Sequence, residues 1–374
     1  LIALDVTNPG AFGSQPTHFK WSYPNGTDAD LGLMLDAPQI TKMNNGDVAV
    51  IVGNGYNSTN GRAVLYILKL SDGSVLKKID TGVGSDNGLA APGLVDDDGD
   101  GDVDVIYAGD LKGNVWKFDV SSSNPSQWKS AFLSGTTPLP LFTAKAPNGT
   151  AQPITAPITS ARNLMPGDPN FGKRYVFFGT GSYVFSNDPA NPQTQSWYGL
   201  IDDDQRITGR SELKVRSITE EGTFAGFSIR KFSQATANDM AGKKGWVLDF
   251  TTQSGERIVT ASRLHVFASE APVLIASSII PRFDPCSPGG DGYINAINPF
   301  TGGRVSAGIF DLNANGNFTE EAGIGGFKPN VGMPTEPVFV GNRLVVGGSA
   351  GTVASVIANR QPAGRISWRE IMRD

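Results

Sequence analysis

Short apolar runs separated by turns set the pattern of this chain. The segments 47-DVAVIVGNG-55, 63-AVLYILKL-70, 103-VDVIYAGD-110, 114-NVWKFDV-120, 175-YVFFGTGS-182, 271-APVLIASSII-280 and 343-RLVVGGS-349 are rich in Val, Ile, Tyr and Phe and bounded by Gly, Asn and Asp. Runs of that length and composition predict β-strands. Helical periodicity is hard to find, and its best window, 210-RSELKVRSITEEG-222, is short.

The strands fall into a repeat. A small or acidic residue followed by proline opens five segments: Ala37-Pro38, Ala91-Pro92, Ala156-Pro157, Ala271-Pro272 and Glu336-Pro337. Each pair precedes an apolar strand, and in most copies a second strand ending in glycines follows (VIVGNG, VIYAGD, VFFGTG, VVGGS). The prolines lie 54, 65, 115 and 65 residues apart, the long gap suggesting a copy that has lost its signature. Several copies continue into further strands around Asp72-Gly73, Lys112-Gly113 and Thr301-Gly302 turns. Units of roughly 45 to 65 residues with about four short strands are those of β-propeller blades, which must stack because one blade cannot cover both its faces. The expected fold is therefore all-β, a modified β-propeller of seven blades with six as the alternative, formed by residues 1–374 as a single domain. A pair of β-sandwiches is the competing architecture, and the repeated proline-then-glycine signature argues against it. The opening 1-LIALDVTNPG-10 reads as the outer strand of a blade whose inner strands lie elsewhere, and the closing 365-RISWREIMRD-374 would complete the ring. The strand-end glycines are assigned to close backbone approach rather than to phosphate binding; no Walker loop or strand-to-helix Gly-x-Gly-x-x-Gly is present.

Composition supports this reading. The 46 glycines and 24 prolines are too many for a mostly helical protein, and 39% hydrophobic residues suffice for a large core. No apolar run approaches the roughly 20 residues of a membrane-spanning helix. The chain opens on Leu1 without an initiator Met or a signal peptide, so we expect a C-terminal fragment of a larger secreted protein. The formal net charge of -5 would be +1 without the six aspartates between Asp96 and Asp104, so the acidity is local, and no basic footprint for nucleic acid is visible. Cys286 is the one cysteine; it reads as an isolated thiol in a turn or as the partner of a cysteine outside this chain. His18 and His265 are far apart and read as packing or surface residues.

The main chemical signal is the run D-D-D-G-D-G-D-V-D from Asp96 to Asp104. An EF-hand-type calcium loop places side-chain oxygens at positions 1, 3 and 5, Gly at 6, a backbone carbonyl at 7 and an oxygen ligand at 9. Asp96, Asp98, Asp100, Gly101, Asp102 (through its carbonyl) and Asp104 match each place, while position 12 would be Tyr107 inside the next strand. This is a nine-residue loop between two strands, not a helix-loop-helix hand. Its hard oxygen donors favour Ca²⁺ over softer metals, and a merely acidic solvated turn is the alternative. A second candidate, 311-DLNANGNFTEE-321, puts Asp311, Asn313, Asn315, Gly316, Asn317 (carbonyl) and Thr319 in the same register, with Glu320 and Glu321 following. It carries fewer charges, and Asn-Gly also makes plain turns. The group 202-DDD-204 lacks the alternate spacing and reads as a turn.

Catalysis finds little support: two isolated histidines suggest no Ser-His-Asp arrangement and no Gly-x-Ser-x-Gly elbow occurs. The chain is expected not to be an enzyme. The alternative is a propeller enzyme, quinone-dependent or glycan-acting, with structural calcium, since 65-LYILKLSDGSVLKK-78 resembles the repeats of pyrroloquinoline-quinone enzymes.

The aspartate loop within a blade, 246-WVLDF-250 followed by 255-GERIV-259, the segment 284-DPCSPGGDGYINAINPFTGG-303 and the terminal 366-ISWREIMRD-374 together resemble the C-terminal domain of the PilY/PilC family of type IV pilus tip-associated proteins. The resemblance spans nearly the whole chain. It implies a modified propeller with a non-enzymatic role in pilus biogenesis, working with pilins or minor pilins and the assembly machinery at the cell surface, the pilus tip or the outer membrane. It implies that calcium occupancy opposes retraction and so regulates extension against retraction and twitching motility, with Asp96, Asp98, Asp100, Asp102 and Asp104 as ligands. Adhesion to a host surface and virulence would run through an N-terminal region that this chain lacks. The loop departs from sparser family loops in being almost all aspartate, which could tighten binding.

Overall fold

The computed structural model describes residues 1–8, 10, 18–24, 26–266, 272–283 and 289–359. Cys286, Ala271, the first part of the 284–303 segment and the terminal 365–374 stretch lie outside them. Among the described residues nearly all regular structure is strand, arranged in five sheets of four to six strands and two two-stranded ribbons. The expected seven blades are thus not represented by seven complete sheets.

The chain divides into two compact units. The first comprises Leu1–Ser160 with Thr180–Ser182 and Asp203–Glu212. Its first sheet is a simple antiparallel meander of Gln39–Lys42, Val48–Gly53, Val64–Lys69 and Val75–Asp80. The two middle strands read as continuous apolar runs because both of their faces are covered. Val50, Val52, Val64, Tyr66 and Leu68 pack under Trp21 on one face. Ala49, Ile51, Leu65 and Ile67, one residue out of phase, pack on the other face against Ile106, Ala108, Trp116 and Phe118 of the next sheet. That next sheet runs Gly93–Val95, Val105–Gly109, Asn114–Asp119 and Lys129–Ser130, with Phe142–Thr143 also on the third strand. Full burial of each Ile, Leu or Phe at such a junction contributes about 1.5–3 kcal/mol. Trp21 is carried by a ribbon in which Ile2–Leu4 pairs with Phe19–Ser22, so the opening strand has its partner nearby rather than in a remote blade.

The second unit repeats this stacking. In one sheet Arg174–Gly179, Ser196–Asp202 and Gly245–Asp249 pair antiparallel, and Lys214–Arg216 adds a parallel edge to it. Its Tyr175, Phe177, Trp197 and Trp246 pack against Leu274, Ala276 and Ile297 of a six-stranded sheet. The opposite face of that sheet, with Val273, Ile275 and Ile294, packs against Phe310, Leu344 and Val356 of the last four-stranded sheet. Glu256 of GERIV, in the segment after Gly245–Asp249, is fully buried and forms a bidentate pair (2.9 and 2.6 Å) with the equally buried Arg230 of the six-stranded sheet. Asn295 also accepts from Arg230, and the Tyr293 ring lies 4.0 Å from the guanidinium.

Two expectations are corrected. The window 210–222 is not helical beyond the three-residue 3₁₀ turn Arg210–Glu212; it continues as Lys214–Arg216 and the hairpin of Ile218–Phe224 with Phe227–Phe232. The 115-residue proline gap, from Pro157 to Pro272, holds one whole sheet, the one built on Arg174–Gly179, but no second among the described residues, because that hairpin joins the six-stranded sheet through Gly326–Phe327. The strand-end glycines behave as expected: a Cβ on Gly53 would lie 2.2 Å from the Ala90 carbonyl oxygen, and on Gly109 2.2 Å from Ile154 Cγ2. Gly347 is the exception: a Cβ there would make only ordinary contacts, 3.8 Å from Thr335 Oγ1 and 4.0 Å from the Thr352 carbonyl oxygen.

Candidate metal centre

The strands Gly93–Val95 and Val105–Gly109 pair antiparallel with Val95 opposite Val105, and the Asp104 amide donates to the Val95 carbonyl (2.9 Å). Asp96–Asp104 is the loop that closes this hairpin. In the preceding sheet the corresponding connection is the short Met43–Asp47 turn, so the acidic segment replaces a plain turn within the repeat.

The loop is folded around its own carboxylates. Asp96 accepts from the amides of Gly99 (2.7 Å, Oδ1) and Gly101 (2.9 Å, Oδ2). Asp98 accepts from Asp100 N (3.1 Å), Asp100 from Asp102 N (2.8 Å) and Asp104 from Asp97 N (2.8 Å). Gly101 sits at φ +92°, where an L side chain is strained. The result gathers oxygens of Asp96, Asp98 and Asp104 within 4.8 Å of one another. Asp96 and Asp98 are exposed and Asp104 is buried. Each carboxylate oxygen retains lone-pair capacity beyond its amide bond, and such bonds orient ligating carboxylates. The donor set therefore suits a hard cation.

Asp100 is exposed and does not join the three-carboxylate group. Asp102 takes part otherwise: its buried carboxylate is held by Lys42 Nζ at 2.7 and 2.9 Å, which leaves only its backbone carbonyl for a cation. Bonding to Asp102 in turn raises the Lys42 pKa above the usual lysine value. Asn44 donates to Asp104 Oδ1 (3.1 Å) and to the Val103 carbonyl (3.0 Å). Lys42 and Asn44 come from the preceding sheet and its turn, and sequence reasoning missed them. Their counterpart position in the repeat was the available clue.

The second candidate loop also folds on its own oxygens. Asp311 accepts from Asn315 N and Gly316 N (3.0 Å each), Asn313 from Asn315 N (3.2 Å), and Asn315 from Asn317 N (2.7 Å). The expected ninth-position residue, Thr319, turns away: its amide and hydroxyl both donate to Asn317 Oδ1. In 202–204, Asp204 pairs with Lys117 as an ordinary turn residue would. His18 bonds the Asp5 carbonyl oxygen and His265 packs edge-on against Phe339 (4.4 Å), both within structural surroundings.

Blade-like meanders stacked face to face, with an acidic loop closing one hairpin, define an all-β protein of the propeller class. A family model described as the PilY1 beta-propeller domain matches residues 19–227, and the chain belongs to that family. A PilY1 homolog of Xylella fastidiosa, a type IV pilus biogenesis factor, is 35% identical over the whole of this chain and 29% of its own length. The type IV pilus biogenesis factor PilY1 of Pseudomonas aeruginosa strain UCBPP-PA14 is 34% identical over 84% of this chain and 30% of its own length. The chain thus spans less than a third of these two relatives. The crystal structure of the Pseudomonas aeruginosa PilY1 C-terminal domain superposes with a TM-score of 0.77 at 26% identity, covering 96% of this chain and 79% of that one. Propeller fold and family are therefore the same as the resemblance implied.

Proposed function

We propose that this chain is a calcium-binding propeller module of a type IV pilus biogenesis factor. The observation that carries the proposal is the convergence of Asp96, Asp98 and Asp104 oxygens within 4.8 Å in a loop whose amides hold them there. With Ca²⁺ bound by these carboxylates and the Asp102 carbonyl, the charge that opposes closing the loop is neutralised. Asn44 and Lys42 tie the closed loop to the adjacent sheet, so occupancy would set the junction of two neighbouring sheets rather than one surface turn. Hard oxygen ligands and a backbone carbonyl favour Ca²⁺ over Mg²⁺, which keeps its waters and demands a rigid octahedron.

In this reading calcium occupancy biases pilus extension against retraction, and with it twitching motility. The module acts outside the cell, at the pilus tip or outer membrane, through contacts with pilins or minor pilins and the assembly machinery, and without catalysis. The pilus part rests on the family and on the names of its relatives; the calcium part rests on the loop. Surface pili counted in cells whose full-length protein carries Asp104→Ala test both together. Fewer pili or altered twitching, with normal protein levels, is the expected result. Unchanged pili and twitching would refute the regulatory reading, and turnover with a quinone cofactor or a glycan would replace it with the enzymatic one.

A further inference from the structure

We infer that the second unit holds a cation site of its own, built by Asp311, Asn313, Asn315 and the Asn317 carbonyl and closed by Glu321. The decisive group is Glu321, which is 1% exposed. Its Oε1 accepts from the Leu312 amide (3.2 Å), whereas its Oε2 is buried without a hydrogen-bond partner. Asp311 is 3% exposed, and neither residue has an ion-pair partner among the described residues. A buried carboxylate with an unanswered oxygen is costly unless a positive charge meets it.

The first loop shows where that charge would sit. There the closing carboxylate, Asp104, accepts the amide of the loop's second residue, Asp97. Here the amide of the second residue, Leu312, goes to Glu321 instead. Glu321 therefore takes the place that Thr319 was expected to fill, two residues later and with a longer side chain that reaches back. Its backbone is fixed by a turn in which the Ile324 amide donates to the Glu321 carbonyl (2.9 Å). Leu312 and Ile324 are both buried in the core below. Glu320, on the rim, accepts from Asn313 Nδ2 (2.8 Å) and so turns the Asn313 carbonyl oxygen toward the loop, where it accepts the Asn315 amide. The donors are again hard oxygens, which selects Ca²⁺. With two carboxylates in place of three or more, this site should be the weaker, since ligand charge count tunes affinity.

Titration with CaCl₂ alone, followed by calorimetry and equilibrium dialysis, tests the site. The unmutated chain should take up two equivalents. The Asp96→Asn/Asp98→Asn variant, altered at exposed positions of the first loop, should keep one, and adding Glu321→Gln should weaken that remaining uptake by at least about tenfold. If the first-loop variant is folded by circular dichroism and takes up no calcium, the second site does not exist, and the first-loop reading is untouched. Glu321 is buried, so Asn315→Asp provides a readout independent of its folding. Adding a carboxylate at a ligand position should tighten the weaker phase several-fold, and an unchanged calcium affinity in this variant would overturn the proposal.

Discussion

Removing one carboxylate from the first loop should make the variant more stable than the unmutated chain without calcium and less stable with it. Asp98→Asn deletes one of three carboxylates whose oxygens lie within 4.8 Å, while the asparagine keeps an oxygen to accept the Asp100 amide. Two unit charges at that separation repel by about 1 kcal/mol in water and by about 3–4 kcal/mol at an effective dielectric constant near 20. Asp98 is exposed, so the lower figure applies to each of its two pairs and salt reduces it further. Without calcium the variant should therefore be more stable by about 1–2 kcal/mol, an increase in Tm of roughly 2–6 °C for a cooperative unit of this size. With calcium at a hundred times its Kd the unmutated chain gains about 2.7 kcal/mol, most of which the variant forgoes. Thermal melts in chelator and in CaCl₂ should thus cross, the variant melting higher in the first and lower in the second. A variant that melts lower in chelator would refute the view that these carboxylates repel one another in the empty loop. Curves that keep their order in both buffers would refute calcium binding by Asp98.

Other consequences follow from the surrounding geometry. Lys42→Gln removes the cation beside Asp102 and should tighten calcium binding a few-fold at low ionic strength, an effect that added KCl should erase in a calorimetric titration. Glu256→Ala strands the fully buried Arg230 and should cost about 3–5 kcal/mol, read as a lower urea midpoint; a loss under 1 kcal/mol would contradict the buried pair. Asp28 is held at a pKa of about 2: burial pushes it up, but the Asp30 amide, the Tyr23 and Tyr66 hydroxyls and Lys78 outweigh that. Because its folded pKa lies below the unfolded value, its stabilisation is full above about pH 4 and fades as pH falls toward 2. The urea midpoints of the unmutated chain and Asp28→Asn should accordingly differ at pH 6 and converge near pH 2.

Much of this architecture was legible because it is local. Central strands such as Val48–Gly53 and Arg174–Gly179 are apolar on both faces, and their ends carry glycines that a neighbouring segment forces to be small. What escaped is non-local. Lys214–Arg216 joins its sheet in parallel, and Ile218–Phe224 is an exposed polar edge strand, so neither carries the apolar run that marks a strand. The same distinction governs the sites. The alternate aspartates from Asp96 to Asp104 are readable by spacing alone, whereas Asn44 and Lys42 lie some 60 residues away and meet the loop only through sheet stacking. Glu321 lies outside a nine-residue template, and only the hydrogen bond from Leu312 shows it to be the counterpart of Asp104.

The central claim is that the aspartate loop holds calcium. Crystals grown with CaCl₂ and measured at a long wavelength, where calcium scatters anomalously, test it most directly. The account predicts an anomalous peak bounded by the carboxylates of Asp96, Asp98 and Asp104 and the Asp102 carbonyl, absent from Asp104→Ala crystals. Clear density for the loop with no anomalous peak among those oxygens at millimolar calcium would contradict it.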